Sequence, residues 1–109
     1  MVFVIAADTM GRGSDELGAA LMANFLRKLW AQPDKPTAIV FHNSGVRLLA
    51  DGSPALEAVA GLAAAGVDLV ACGTCVKHFD LSEHLRVGRV SDMQDIVAIL
   101  TAAAKVVTL

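Results

Sequence analysis

The sequence predicts an α/β protein in which a largely parallel sheet carries helices on both faces. Its strand-like runs are apolar throughout instead of alternating with polar residues, which is typical of strands buried on both sides. These runs alternate along the chain with stretches of helical periodicity, and no repeat, low-complexity tract or linker interrupts them. The length of 109 residues fits one domain, so we expect a single domain over residues 1–109.

Five runs are predicted as strands, and four segments between them as helices. The strands are expected at residues 2–7, 37–41, 67–71, 87–90 and 105–108. Ser14 is the expected N-cap of the first helix, in which Leu17, Leu21, Phe25 and Leu29 form one apolar face. Ser53-Pro54 is expected to begin the second helix, 76–85 to form a short third, and a Ser91–Gln94 capping box to open the fourth.

Composition excludes several classes of function. The net charge is −2, the chain lacks a Lys/Arg cluster, and aromatic residues make up only 5%, so nucleic-acid binding is not expected. We also expect no membrane span, because the longest apolar run is short and contains Gly66 and Asp68. The N-terminus lacks the features of a signal peptide, which favours the cytoplasm. The 55% hydrophobic content favours a homo-oligomer, with one face packed on another subunit.

The strongest functional signal is the segment Cys72-Gly73-Thr74-Cys75, which holds both cysteines of the chain and follows the third predicted strand. Ligands of open α/β sheets bind beyond the carboxyl ends of the strands. Loops 8–13, 42–45 and 72–75 should meet there if their strands are neighbours. At this spacing in a reducing compartment, two thiols indicate redox, sulfur or metal chemistry. The amide of Gly73 and the hydroxyl of Thr74 are candidate donors to a thiolate, and Lys77 and His78 lie close in sequence.

The remaining candidates depend on weaker patterns. Gly11-Arg12-Gly13 follows a strand and opens a helix, but Glu16 stands where a dinucleotide fingerprint needs glycine, so we expect no nucleotide. Arg12 is instead a candidate for steering an anionic sulfur species, and His42 for donating a proton. A zinc site composed of Cys72, Cys75, His78 and His84 is not expected, because its spacing does not fit structural zinc sites. We predict no metal and no cofactor.

Three ordered motifs resemble the DsrE/F-like superfamily, and more closely the sulfurtransferase-like domain of the YedF group, which is associated with selenium metabolism. The motifs are 8–18 (DTMGRGSDELG), 41–46 (FHNSGV) and 71–75 (ACGTC). The resemblance implies a flavodoxin-like, three-layer α/β/α fold with a mostly parallel five-stranded sheet. It also implies a homo-oligomer (a dimer, trimer or hexamer) and sulfur-relay chemistry.

In relay members of that superfamily, a cysteine just after the third strand carries a persulfide, and Cys72 matches this position. Cys75 is then the additional thiol of the CGTC variant. The expected substrate-binding residues are Gly73, Thr74, Arg12, His42 and Asn43. YedF proteins often carry a TusA-like domain ahead of this one. Because this chain starts at the first strand, the resemblance implies separate donor and acceptor proteins, such as a TusA-like protein or a cysteine desulfurase.

The sequence therefore predicts a sulfur or selenium carrier, or a sulfurtransferase-like enzyme, that relays sulfur on Cys72. Two alternatives stay open. The motif fits a dithiol–disulfide redox switch, although Ala71 stands where thioredoxin-like motifs usually place an aromatic residue. A non-catalytic oligomeric module fits the apolar surplus, and requires both thiols to be buried without a cleft. Flavin binding is the weakest alternative, because the loops lack aromatic residues to flank the ring.

Overall fold

A computed structural model of the protein describes all residues, 1–109, and contains one five-stranded sheet with every strand pairing parallel. The strands, in the spatial order β4-β3-β2-β1-β5, are β1 (Val2–Ile5), β2 (Ala38–Phe41), β3 (Asp68–Cys72), β4 (Arg89–Ser91) and β5 (Val106–Thr108). The helices are α1 (Asp15–Ala31), α2 (Leu56–Ala64), α3 (Gly73–His78) and α4 (Met93–Ala102), with a 3-10 helix at Asn43–Leu49. The predicted α/β class and five-stranded sheet are confirmed.

The helices lie on both sides of the sheet, which gives the expected three layers. α1, α2 and the 3-10 helix pack on one face in a large apolar cluster that contains Ile5, Phe41 and Ala71. On the other face, Ile96 of α4 belongs to a smaller cluster with Cys72. The connections from β1 to β4 run in one direction across the sheet, and the last one returns past them to β5. Right-handed crossovers therefore place α4 on the opposite face from α1 and α2.

The buried face of α1 differs from the predicted one. Leu17 and Leu21 are 58% and 43% exposed, whereas the buried positions of the helix are Gly18, Met22, Ala23, Leu26 and Leu29. The first turn of α1 packs against the loop after β1: the Met10 amide donates to the Gly18 carbonyl at 3.0 Å, and a Cβ on Gly18 would lie 2.8 Å from that of Thr9. Glycine must therefore face inward there, which turns Leu17 and Leu21 outward.

Three predicted helix starts are also wrong. α2 begins at Leu56, because the Ser53 hydroxyl accepts from the Ala55 amide at 3.1 Å and closes a local turn before the helix. The N-cap of α4 is Asp92, which accepts from the Asp95 amide at 2.9 Å, whereas Ser91 is still part of β4. α3 starts directly after β3, at Gly73 instead of Val76.

The edge strand β4 is attached to its neighbours by a polar network centred on Arg89. Its guanidinium donates two hydrogen bonds to the carboxylate of Asp68 on β3, both at 2.9 Å, and one to Asp95 of α4 at 3.0 Å. The Ser91 hydroxyl also donates to Asp95, at 2.6 Å. These bonds join the short edge strand to the adjacent strand and to the helix that follows it.

None of the helices has both the length and the apolar character needed to cross a membrane.

Gly45 of the 3-10 helix is buried directly below the end of β1, where a Cβ would overlap the carbonyl group of Ile5. We expect Gly45→Ala to lower the free energy of unfolding by about 1–3 kcal/mol, because backbone atoms cannot move aside cheaply. Gly61→Ala is the matched control. Its Cβ would meet the ring of Trp30, and this contact involves a side chain that is 38% exposed instead of backbone, while alanine favours the helix. Urea unfolding of both variants tests this; an equal loss in both would contradict it.

The network around β4 predicts a dependence of stability on pH. Hydrogen bonds from Ser91, and then from Arg89, hold the pKa of Asp95 below its ordinary value of 3.8. Ionised Asp95 therefore stabilises the fold above that pH, and this stabilisation is lost as the pH falls through the lower pKa of the folded state. The difference in unfolding free energy between wild type and Asp95→Asn should be constant near neutral pH and shrink in acid. A difference that stays constant throughout the acid range would contradict this.

Candidate functional site

The loops after β1, β2 and β3 meet at the carboxyl edge of the sheet, because these three strands are neighbours. The Asp8 amide donates to the Ser44 hydroxyl at 3.3 Å, which joins the first loop to the second. The Asn43 amide donates to the Sγ of Cys75 at 3.0 Å, which joins the second loop to the third. The predicted convergence of the three loops is therefore present, and the dithiol motif lies within it.

The two thiols have different surroundings. Cys72 is the last residue of β3 and the N-cap of α3, and its side chain is directed to the α4 face, where it is only 2% exposed. Cys75 lies one helical turn later, is half-buried, and packs at the margin of both apolar clusters. Both cysteines are free thiols. The motif thus combines one buried sulfur with one that solvent can reach.

Gly73 between the thiols lies close to the edge strand. A Cβ there would approach both the Ser91 carbonyl oxygen and a methyl group of Val90 at 3.2 Å. This close approach allows α3 to begin at once after β3 and so brings Cys75 back toward the end of the strand.

The amide that contacts Cys75 is directed there by an uncommon backbone conformation. Asn43 has a φ of 51°, in the left-handed region that asparagine adopts more readily than most residues. Its own side chain supports this conformation, because Oδ1 accepts from the Ser44 amide at 2.8 Å. Asparagine at position 43 therefore fixes its own backbone amide as a donor opposite the sulfur of Cys75.

These surroundings affect the pKa of Cys75 in opposite directions. Partial burial raises this pKa above the ordinary 9.0, and the neighbouring Cys72 thiol raises it further, whereas the hydrogen bond from the Asn43 amide lowers it. The net direction is upward. The thiolate of Cys75 is thus a minor form at neutral pH, and reactions that need this thiolate should accelerate as the pH rises.

Cys75 opens into a cavity of about 250 Å³, called here the Cys75 cavity, which is lined by Asn43, Thr74, Cys75, His78 and Phe79. The guanidinium of Arg47 lies 4.3 Å from the centroid of the Phe79 ring, a cation–π arrangement, and is 3.8 Å from the carboxylate of Asp8. His78 contacts the same ring edge-on. Arg47 therefore connects the loop after β1 to the end of α3 and supports one side of the cavity.

The structure brings together some of the predicted site residues and separates others. Thr74 and Asn43 line the Cys75 cavity, and Gly73 and Thr74 also line an adjacent hollow of about 440 Å³ that includes Lys77. Arg12 instead lines a separate hollow of about 520 Å³ beside Leu109. His42 precedes the 3-10 helix and does not line the Cys75 cavity.

The zinc combination considered above is not assembled. His84 lies 3.4 Å from the carboxylate of Asp51, and no group of three or more His, Cys, Asp or Glu side chains is arranged to hold a metal ion.

Three side chains that contribute to the site were not predicted from the sequence: Phe79, Arg47 and Ser44. Phe79 had a detectable signal, since it is an aromatic residue only four positions after Cys75 in a chain with few aromatics. Arg47 and Ser44 act through contacts with Phe79 and Asp8 that lie far apart in sequence, so the pattern around each gave no indication of them.

The fold and the loops at the carboxyl edge of the sheet define a class of α/β protein. Proteins of this class present a dithiol beyond the third strand of a parallel sheet. The chain belongs to the DsrE/DsrF-like family, whose profile matches residues 1–109, and this family is linked to sulfur relay. None of the curated proteins is significantly similar to it in sequence.

The solved structures that share the fold include the following two. The YchN protein of E. coli has 17% sequence identity and a TM-score of 0.72, with 98% of this chain and 97% of that chain covered. MTH1491 of Methanobacterium thermoautotrophicum, a protein of unknown function, has 24% identity and a TM-score of 0.71, with 99% and 96% covered. At these identities the similarity establishes the fold.

The contact between Asn43 and Cys75 can be tested by substitution. Valine is strained at a positive φ, so Asn43→Val should displace the amide and raise the pKa of Cys75 further, whereas Asn43→Gly should leave the amide in place. The measurement is the pH dependence of iodoacetamide alkylation, with peptide mapping to assign the product to Cys75. Cys72 and His78, the titratable neighbours, are unchanged in both variants. Identical pH profiles for the two variants would rule out a role for this amide.

Proposed function

We propose that the protein relays sulfur, as a persulfide, through the dithiol of Cys72 and Cys75. The observation that carries this proposal is the pairing of a reachable thiol with a buried one, a single helical turn apart, at the edge of the sheet where ligands bind. Membership of a family linked to sulfur relay supports the same chemistry.

Sulfur transfer between thiols needs few groups beyond the thiols themselves. A thiolate attacks the outer sulfur of a donor persulfide, the donor S–S bond breaks, and the donor leaves as a thiolate. By resemblance, Cys72 is the cysteine that carries the persulfide in this family. Thr74 and the Asn43 amide lie beside Cys75 and supply hydrogen-bond donors for sulfur anions. Selenium in place of sulfur would follow the same steps, which is the chemistry that a YedF-like role requires.

The proposed partners are donor and acceptor proteins that bear reactive thiols, such as a cysteine desulfurase and a TusA-like protein, in the cytoplasm. A homo-oligomer is also proposed. Exposed apolar side chains support it: Leu17 and Leu21 on α1, and Val90, Met93 and Val97 on β4 and α4, are each more than two-fifths exposed.

A dithiol–disulfide switch is the second candidate function, favoured by the proximity of the two thiols, which is evident in the side-chain hydrogen bond with Cys72 that raises the pKa of Cys75. It differs from the relay in that no sulfur atom is acquired. The third alternative, a module with incidental thiols, requires both cysteines to be buried, and the cavity beside Cys75 argues against it.

The relay predicts that the protein acquires one sulfur atom from a donor. The experiment incubates the chain with a cysteine desulfurase and cysteine, and follows intact mass. Variants with a single cysteine, Cys72→Ala and Cys75→Ala, are used because one thiol alone cannot expel the sulfur by forming an internal disulfide. At least one of them should gain one sulfur atom per chain, and dithiothreitol should remove it.

The double variant Cys72→Ala/Cys75→Ala is the control and should gain nothing, since the chain has only these two cysteines. If neither single-cysteine variant gains sulfur, and wild type loses two hydrogens under mild oxidant, the relay is excluded and the redox switch is favoured.

A further inference from the structure

The 3-10 helix contacts α3 at two points. The Asn43 amide donates to the Sγ of Cys75 at 3.0 Å. The guanidinium of Arg47 lies 4.3 Å from the centroid of the Phe79 ring. On each of the two elements the contacting residues are four positions apart, so the same pair of elements is joined twice in the same direction. α3 is therefore held both at Cys75 and at Phe79, the residue that caps its end.

α3 depends on such outside contacts for its position. It is six residues long, far shorter than a helix that is stable on its own. The chain leaves it abruptly, because Phe79 is its C-cap and Asp80 has a left-handed φ of 59°. The Phe79 amide donates to the Cys75 carbonyl at 3.1 Å. A displacement of Phe79 is therefore transmitted to Cys75 through one hydrogen bond within the helix.

Arg47 is itself held in place from the other side. Its guanidinium is 3.8 Å from the Asp8 carboxylate, and the Asp8 amide donates to the Ser44 hydroxyl at 3.3 Å. A planar guanidinium stacks on an aromatic ring while its edge faces a carboxylate, which the compact ammonium of lysine cannot do. These contacts are modest in energy, because the Arg47 side chain is 52% exposed. They can therefore adjust the position of α3 without deciding whether the chain folds.

We propose that Arg47 is a positioning residue for the dithiol: through Phe79, and together with the Asn43 amide, it holds α3 in the orientation that sulfur transfer requires. This inference rests on the relay function proposed above. Arg47 lines a separate cavity of about 290 Å³, so it acts through the ring of Phe79 and not by contact with Cys75. The loop after β1 thereby contributes, through Asp8, to the geometry of the thiols after β3.

The position of α3 is measured by the pH dependence of iodoacetamide alkylation at Cys75, assigned by peptide mapping. Arg47→Gln and Phe79→Leu each remove the contact. Both should weaken the hydrogen bond from the Asn43 amide and move the midpoint of the profile to higher pH. A shift of about 0.3–0.7 is expected, which corresponds to about a two- to fivefold effect of an exposed cation–π contact. Phe79→Leu keeps the charge of Arg47, so a shift in this variant reports position and not charge.

Three further variants complete this experiment. The double variant Arg47→Gln/Phe79→Leu should shift the profile no further than either single variant, because both remove the same contact. Arg47→Lys keeps a cation near the ring and should lie between Arg47→Gln and wild type; it also keeps the test valid if Arg47→Gln does not fold. Arg27→Gln, at an exposed position of α1, is the matched control and should leave the profile unchanged. The titratable groups of Cys72 and His78 are present in all of these proteins.

A wild-type profile for Phe79→Leu, or shifts that add in the double variant, would overturn the assignment of Arg47 without bearing on the relay. The transfer itself is followed by intact mass, as the rate at which the unmodified protein disappears in the presence of a cysteine desulfurase and cysteine. This rate should fall about two- to fivefold in Arg47→Gln and in Phe79→Leu, and keep the wild-type value in Arg27→Gln. Equal rates in all of these proteins would also overturn the positioning role. A wild-type protein that acquires no sulfur would instead overturn the relay, and the alkylation profiles would still decide whether Arg47 positions α3.

Discussion

The position of the site depends on the close contact between the 3-10 helix and the end of β1. Gly45 lies so near the Ile5 carbonyl that no side chain fits between them, and the His42 amide donates to the same carbonyl at 3.1 Å. Because this contact fixes the start of the 3-10 helix, it also fixes Asn43, whose amide contacts Cys75. The geometry around the reachable thiol is therefore established by backbone packing two strands away from the strand that carries the motif.

A second constraint comes from the way a strand continues directly into a helix. Ala71 and Cys72 alternate between the two faces of β3, and α3 begins at the next residue. This abrupt start places Cys75 above the strand end, between the apolar layers on either side of the sheet. One sulfur is therefore enclosed and the other remains reachable, although only two residues separate them.

Much of the fold was predictable from the sequence, because buried parallel strands have an unambiguous apolar pattern. The five strands, the three layers and the convergence of three loops follow from residues such as 2–5 and 38–41, which have no polar interruption. The wrong predictions concern positions at which two local interactions compete for the same residues. Leu17 and Leu21 fit a four-residue spacing, but the requirement for Gly18 at a tight contact determines which side of α1 faces inward. Ser91 fits a capping box, yet it extends the edge strand while Asp92 caps the helix.

The site was predictable only in part, for a physical reason. The thiols and Thr74 are identified by their chemical groups, and these are visible in a sequence. The donor to Cys75 is instead a backbone amide, which every residue except proline carries, so only its conformation distinguishes Asn43. The ring of Phe79 and its contact with Arg47 likewise join segments that are more than thirty positions apart. Contacts of this kind depend on the fold and leave no local pattern.

The two outermost strands are each only three residues long, and this limits how copies of the protein can associate. On one side, the side chain of Arg89 is already engaged with Asp68 and Asp95; on the other, Lys105 directly precedes β5. Short edge strands with charged residues are poor templates for the addition of a strand from a neighbouring molecule. Edge-to-edge extension of the sheet is therefore disfavoured, and the hydrophobic surfaces left for self-association are those of the helices and the exposed face of β4 at Val90.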